Sequence, residues 1–208
     1  MADFESLAKE RRSASNFLAD NPISKDELNK IFELVKLAPS AFNLQHTKYI
    51  VVTDPELKEK VEIAANGQYK VKTASAVILV LGDKKAYKNA AEIYEGLMML
   101  GIVNKQEYDH MVEDTVSMYE TRGANFQHDE AIRNASISAM LFMLAAKDNG
   151  WDTCPMIGFD PAAIKEVLNI EETLEPVLMI TIGKEKVASR HPRGYRKPVN
   201  EFVTYYEE

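Results

Sequence analysis

Residues 129–149 most limit what this chain can fold into. Ile132, Ala135, Ile137, Met140, Leu141, Phe142 and Leu144 follow one another so densely that no polar face is left. A helix that is apolar all round must be covered on every side, by its own domain or by a second subunit. Its longest uncharged run, Asn134 to Ala146, is shorter than the roughly 20 residues needed to cross a bilayer, so no membrane span is expected.

The other elements are read from capping and period. Ser24 and Glu27 make a capping box, and Leu28, Ile31, Phe32, Val35 and Ala38 repeat at helical spacing, which predicts a helix over 24–38. A shorter helix is expected over 2–13, ending near Arg12, and another from Pro55 to about Ala65. Residues 48–53, 76–82 and 177–182 are apolar, β-branched runs of strand length. Residues 84–124 read as helical and polar with scattered methionines, and 161–168 as a short helix. Strands alternating with helices put the chain in the α/β or α+β class. Residues 185–208 hold too few apolar positions for a core of their own and read as an arm on a single domain spanning 1–208.

Bulk properties exclude several functions. At 208 residues, with 46% hydrophobic and 27% charged side chains, the chain has ordinary globular composition and can bury a substantial core. Its net charge of −7 disfavours nucleic acid and anionic membranes as partners. The single cysteine, Cys154, excludes an internal disulfide and fits a reducing compartment. The acidic, polar N-terminus shows no signal-peptide core, so a cytoplasmic location is expected.

Four segments carry candidate chemistry. Ala38-Pro39-Ser40-Ala41-Phe42-Asn43-Leu44-Gln45 is a polar loop between helix and strand, and its hydroxyl and two carboxamides can read a heterocycle with both donors and acceptors. Arg11-Arg12-Ser13 can grip a phosphate through charge-assisted bonds, although two arginines at a helix end also suit the helix dipole. Arg190, Arg193, Arg196 and Lys197 could hold a phosphate from the arm, or form a solvated basic patch. Pro155-Met156-Ile157-Gly158-Phe159 reads as a turn with backbone N–H groups, either a plain turn before Pro161 or a set of donors for one ligand atom. Cys154, followed by proline in an apolar context, reads as a buried structural thiol. The four histidines show no metal-ligand spacing, and no G-x-G-x-x-G or P-loop is present.

In order and spacing, these segments resemble the nitroreductase family of FMN flavoproteins. The resemblance rests on Arg11-Arg12-Ser13, the loop with Ser40, Asn43 and Gln45, the Gln68–Ser75 region, Pro155-(x)2-Gly158-Phe159, and Arg196-Lys197-Pro198. It implies an α+β, three-layer fold with a central, mostly antiparallel sheet, and an intertwined homodimer whose C-terminal arms wrap the partner. It also implies FMN as cofactor and NADH or NADPH as donor. Hydride would pass through flavin N5 in ping-pong fashion to nitroaromatic or quinone-like acceptors.

By the same resemblance, Arg11, Arg12 and Ser13 would contact the FMN phosphate, ribityl chain and ring edge, with Arg193 and Arg196 closing on the phosphate. Ser40 and Asn43 would reach the flavin from the other subunit, with Gln45 in the same loop. Gln68 and Lys70 would lie against the pyrimidine side. Pro155 and Met156 would lead to Ile157 and Gly158, whose backbone faces N5. The sequence departs from some relatives in carrying Ile157 where they have glutamate, His46-Thr47 where they have Pro-Trp, and Ser15 where they have a basic residue. Two other readings compete: a flavin-binding or flavin-remodelling member without redox activity, and an arginine-armed nucleic-acid binder.

Overall fold

The structure, a computed structural model, describes residues 3–206. The expected start of the first helix at Ala2, and the last two residues of the arm, Glu207 and Glu208, lie outside the described residues. Helix α1 (Phe4–Glu10) is capped by Asp3, whose carboxylate accepts from the Ser6 N–H at 3.0 Å. Helix α2 (Lys25–Val35) has both halves of the expected capping box. It stops three residues short of Ala38, as Pro39 disfavours α geometry in the residue before it.

Four antiparallel strands form one sheet in the order β1 (Thr47–Val52), β2 (Ala76–Asp83), β4 (Leu174–Gly183), β3 (Asp152–Met156). Every residue of β2 is buried, because helices cover both faces. Val77, Leu79 and Leu81 pack on one side, beneath α3 (Pro55–Ala64) and α7 (Pro161–Leu168). Ala76, Ile78 and Val80 pack on the other, beneath α2 and α6 (Lys105–Asp148). The result is the expected three-layer α+β domain.

Residues 152–156, expected in part as a turn, form strand β3 instead, with Pro155 opposite Ile180. Proline is tolerated there because β3 is an edge strand. Ile157, Gly158 and Phe159 remain as the turn.

Helix α6 joins the expected 129–149 segment to the polar helical region before it. Gly123 interrupts it with φ 75° and ψ −174°, a conformation that suits glycine. Before the break, α6 packs on α5 (Ala90–Met99) around Tyr87, Tyr94 and Tyr119. After it, α6 lies so close to the sheet that a Cβ on Gly82 would sit 2.6 Å from the Ala131 carbonyl oxygen. The expectation that 129–149 has no polar face is corrected: Glu130, Asn134 and Ser138, one helical turn apart, are all buried.

Candidate functional site

The α1 helix ends at Arg11, and the chain then runs extended past Ser13. Ser13 bridges Thr153 of β3, and the Ala14 N–H donates to the Thr153 carbonyl at 3.0 Å. The arm returns to this corner after β4. Arg193 donates to the carbonyls of Lys9 and of Arg11, the latter at 3.2 Å, and Arg12 donates to the carbonyl of His191. Arg11, Arg12, Ser13, Ser15, Arg193 and Arg196 thereby line one cleft of about 200 Å³.

Its electrostatics are one-sided. Burial, then the charges of Arg193 and Arg196, hold the Arg11 guanidinium below its ordinary pKa. Among the described residues, the arginines in ion pairs are Arg133, with Glu130, and Arg190, with Glu185. The four arginines of the cleft have no such carboxylate, and their mutual repulsion favours an anion between them. A phosphate monoester fits this donor set. Arg190, expected beside Arg193 and Arg196, is instead taken up by the buried Glu185.

Beyond the cleft, β3 carries further expected residues along the same sheet edge. Lys70, on the short helix α4 (Tyr69–Thr73), donates to Cys154 Sγ at 3.3 Å. Cys154 is buried, as its apolar context predicts. At the end of β3, Gln68 and Asn66 both donate to the Gly158 carbonyl, at 2.8 and 3.2 Å, and so fix the turn. A Cβ on Gly158 would meet Gln68 Nε2 at 2.9 Å. Pro155 and Met156 lie in the strand before the turn, and the Ile157 side chain is 78% exposed. Arg11, Arg12, Ser13, Gln68, Lys70, Pro155, Met156, Ile157, Gly158, Arg193 and Arg196 therefore follow one sheet edge.

Ser40, Asn43 and Gln45 do not join them within this chain. Their loop leads into β1, the opposite edge strand, at the end of the sheet away from Ser13. Three strand spacings and about six residues along the strands separate the loop from Ser13 by about 20 Å or more, and three strand spacings separate it from the Gly158 turn. The loop is a strained one: Phe42, Asn43 and Gln45 have φ of 55°, 54° and 51°, where non-glycine residues are rare. Ser40 Oγ accepts from the Gln45 N–H at 3.0 Å, and Ser40 and Gln45 line a pocket of about 270 Å³ with Phe32, Tyr49 and Ser138.

Behind this loop is a buried polar network that sequence reasoning did not assign. His46 Nε2 meets Tyr119 Oη at 3.2 Å, and Tyr119 Oη is 3.5 Å from Glu130 Oε2. Asn134 donates to the Glu130 carbonyl and carboxylate at 2.8 and 3.3 Å, and its Oδ1 accepts from the Ala41 N–H at 2.7 Å. Burial pushes His46 down to about 4 and Tyr119 up to about 12. The signal was available: Glu130, Asn134 and Ser138 at helical spacing inside an apolar run require buried partners.

An antiparallel sheet between two helical layers, with an arginine cleft beside one edge strand, defines an α+β domain with a cationic corner. The chain belongs to the Nitroreductase family, whose profile matches residues 8–184. It is 70% identical over 205 residues to MhqN of Bacillus subtilis (strain 168), provisionally named an NAD(P)H nitroreductase; the match covers 99% of this chain and 100% of MhqN. The crystal structure of a provisionally assigned nitroreductase from Bacillus subtilis, ydfN, superposes with a TM-score of 0.96 at 69% identity, covering 99% of this chain and 100% of that one. A provisionally assigned nitroreductase of Exiguobacterium sibiricum 255-15, solved in complex with FMN, gives a TM-score of 0.91 at 32% identity over 99% of this chain and 98% of its own. The fold is thus nitroreductase-like. No helix among the described residues is long and apolar enough to cross a membrane.

Proposed function

We propose that the protein is an FMN-dependent NAD(P)H oxidoreductase that reduces nitroaromatic or quinone-like acceptors and works as a homodimer. The observation that carries this reading is the cleft of four arginines that, among the described residues, have no carboxylate partner, set beside the edge strand β3 that ends at the Gly158 turn. The FMN-bound relative of the same fold supports it. When bound, FMN supplies two-electron exchange between the nicotinamide and an acceptor in successive half-reactions.

This chain's residues bind and orient. Arg11, Arg12, Arg193 and Arg196 offer planar donor forks for a phosphate, and Ser13 adds a hydroxyl. Lys70 brings a cation beside β3, where it favours negative charge developing on a ligand ring. Gly158 leaves room for Gln68 to hold the turn, and the exposed Ile157 offers an aliphatic surface that sheds water. With an aliphatic side chain at 157, that position supplies no carboxylic proton donor.

Ser40, Asn43 and Gln45, remote from the cleft of their own chain, contribute to the site of a second copy in this reading. The same homodimer would wrap its arms, residues 185–208, around the partner and cover the exposed Ile137 and Met140 of α6.

The deciding experiment is a visible absorption spectrum followed by anaerobic titration with NADH and with NADPH. Flavin bands that bleach support the proposal. Bands that persist with both nicotinamides leave a flavin-binding protein without this activity, and a colourless protein that takes up no FMN ends the reading. With an active enzyme, varied NADH and menadione should give parallel double-reciprocal lines; intersecting lines would exclude the ping-pong order.

A further inference from the structure

The loop carrying Ser40, Asn43 and Gln45 is held in a conformation it would not adopt alone. Three of its residues occupy the left-handed region, and such residues persist only where their surroundings over-determine them. The loop's inward contacts alternate with the outward ones. Leu44 and His46 are 1% exposed, while Phe42, Asn43 and Gln45 face out. Each inward anchor reaches α6: Ala41 through Asn134, Leu44 through the cluster that contains Tyr119, and His46 through Tyr119.

The Asn134 carboxamide can be oriented in only one way. The Glu130 carbonyl and carboxylate are acceptors, so Nδ2 must face them, which turns Oδ1 to the Ala41 N–H. Glu130 is itself held by Arg133 and by Tyr119. Tyr119 lies before the Gly123 break in α6 and Glu130 after it, eleven positions apart, a rise of about 16 Å in a straight helix. The break therefore lets one helix hold the loop from two sides.

We propose that Asn134, oriented by Glu130, is a positioning residue that sets the shape of loop 40–45 and through it the affinity for flavin. The proposal rests on the functional reading above, in which this loop reaches the cofactor. Neither side chain is required to touch the cofactor; both act through the Ala41 N–H.

Two independent changes remove the same bond. Asn134→Ala deletes the acceptor. Ala41→Pro deletes the donor, and Ser40, at φ −143° and ψ 154°, already has the geometry that a residue before proline prefers. Each should weaken FMN binding about tenfold, measured as Kd by flavin fluorescence, and the double variant should be no weaker than either single one. Asn134→Asp keeps the acceptor but sets a carboxylate against Glu130, so it should also weaken binding. Adding Glu130→Gln to it supplies a donor and should restore most of the affinity.

Hydrogen–deuterium exchange of segment 40–46 in the flavin-free protein reads the loop separately, and should speed up in Asn134→Ala and Ala41→Pro. Unchanged exchange in both would overturn the proposal whether or not the protein binds flavin. Faster exchange with unchanged FMN affinity would also overturn it, and would remove the loop from the cofactor site. A Glu130→Gln/Asn134→Asp double variant no better than Asn134→Asp would show that Glu130 does not orient Asn134.

Discussion

His46 and the arginines of the cleft illustrate opposite ways of handling charge. His46 is buried, its Nδ1 has no hydrogen-bond partner among the described residues, and burial lowers its pKa to about 4 despite the opposing pull of Asp83. The unfolded chain takes up this proton near the ordinary value of 6.5. Stability is therefore full above that pH and falls as pH drops from 6.5 toward 4, by at most about 3 kcal/mol. Denaturant unfolding across that range should show the loss, and His46→Gln should flatten it; an unchanged slope would mean that His46 is solvated in the fold. Arg196, by contrast, lies in the exposed arm, where it donates to the carbonyls of Gly194 and Tyr195. Arg196→Ala should cost FMN affinity about 1.5–3 kcal/mol while leaving the melting temperature in place. Equal affinity in wild type and variant would take Arg196 out of the site. The arginines were visible in sequence because charge clusters are local. The histidine's role was not, since its partner Tyr119 is 73 residues away.

At the scale of elements, two glycines are needed for different reasons. Gly82 lies where α6 crosses β2, and a Cβ would meet the Ala131 backbone, which cannot move without shifting the helix. Gly82→Ala should therefore destabilise by about 1–3 kcal/mol through overpacking. At Gly123 a Cβ would meet nothing within 4 Å, so only its positive φ resists substitution. Gly123→Ala should cost about 1–3 kcal/mol through backbone strain alone. Thermal melts of both variants measure these losses, and Gly123→Asn should recover nothing at 123, because φ 75° with ψ −174° lies outside the left-handed helical region that asparagine tolerates. A Gly123→Ala variant as stable as wild type would mean that α6 can straighten without penalty. Helices α2 and α7 and the buried strand β2 were legible from capping and period. Strand β3 was not, because Pro155 is a turn signal everywhere except on a sheet edge.

At the scale of the molecule, the two halves of the candidate site belong to opposite sheet edges, which makes the shared-site proposal directly testable. A homodimer of Arg196→Ala chains and one of Ser40→Trp chains should each bind FMN poorly. Co-expressing the two chains should restore FMN to about a quarter of the sites. Half of the randomly paired dimers are mixed, and each mixed dimer has one undamaged site of its two. A site built within one chain would recover nothing on mixing.

The sequence by itself determined most of the helices, strands β1, β2 and β4, the arginine groups near both ends and the polar loop, since capping, period and charge act over a few residues. It also carried the family resemblance that the profile match and the solved relatives bear out. Only the tertiary structure decided that Ser13 and Thr153 are neighbours, that the arm returns its arginines to α1, and that Ser40 lies at the far edge of the sheet. Strand order governs those relations, and it follows from which apolar faces bury one another across the whole chain. Likewise, Asn134 and Glu130 became meaningful only once α6 was laid against the loop, because a buried polar group is defined by the partner it finds.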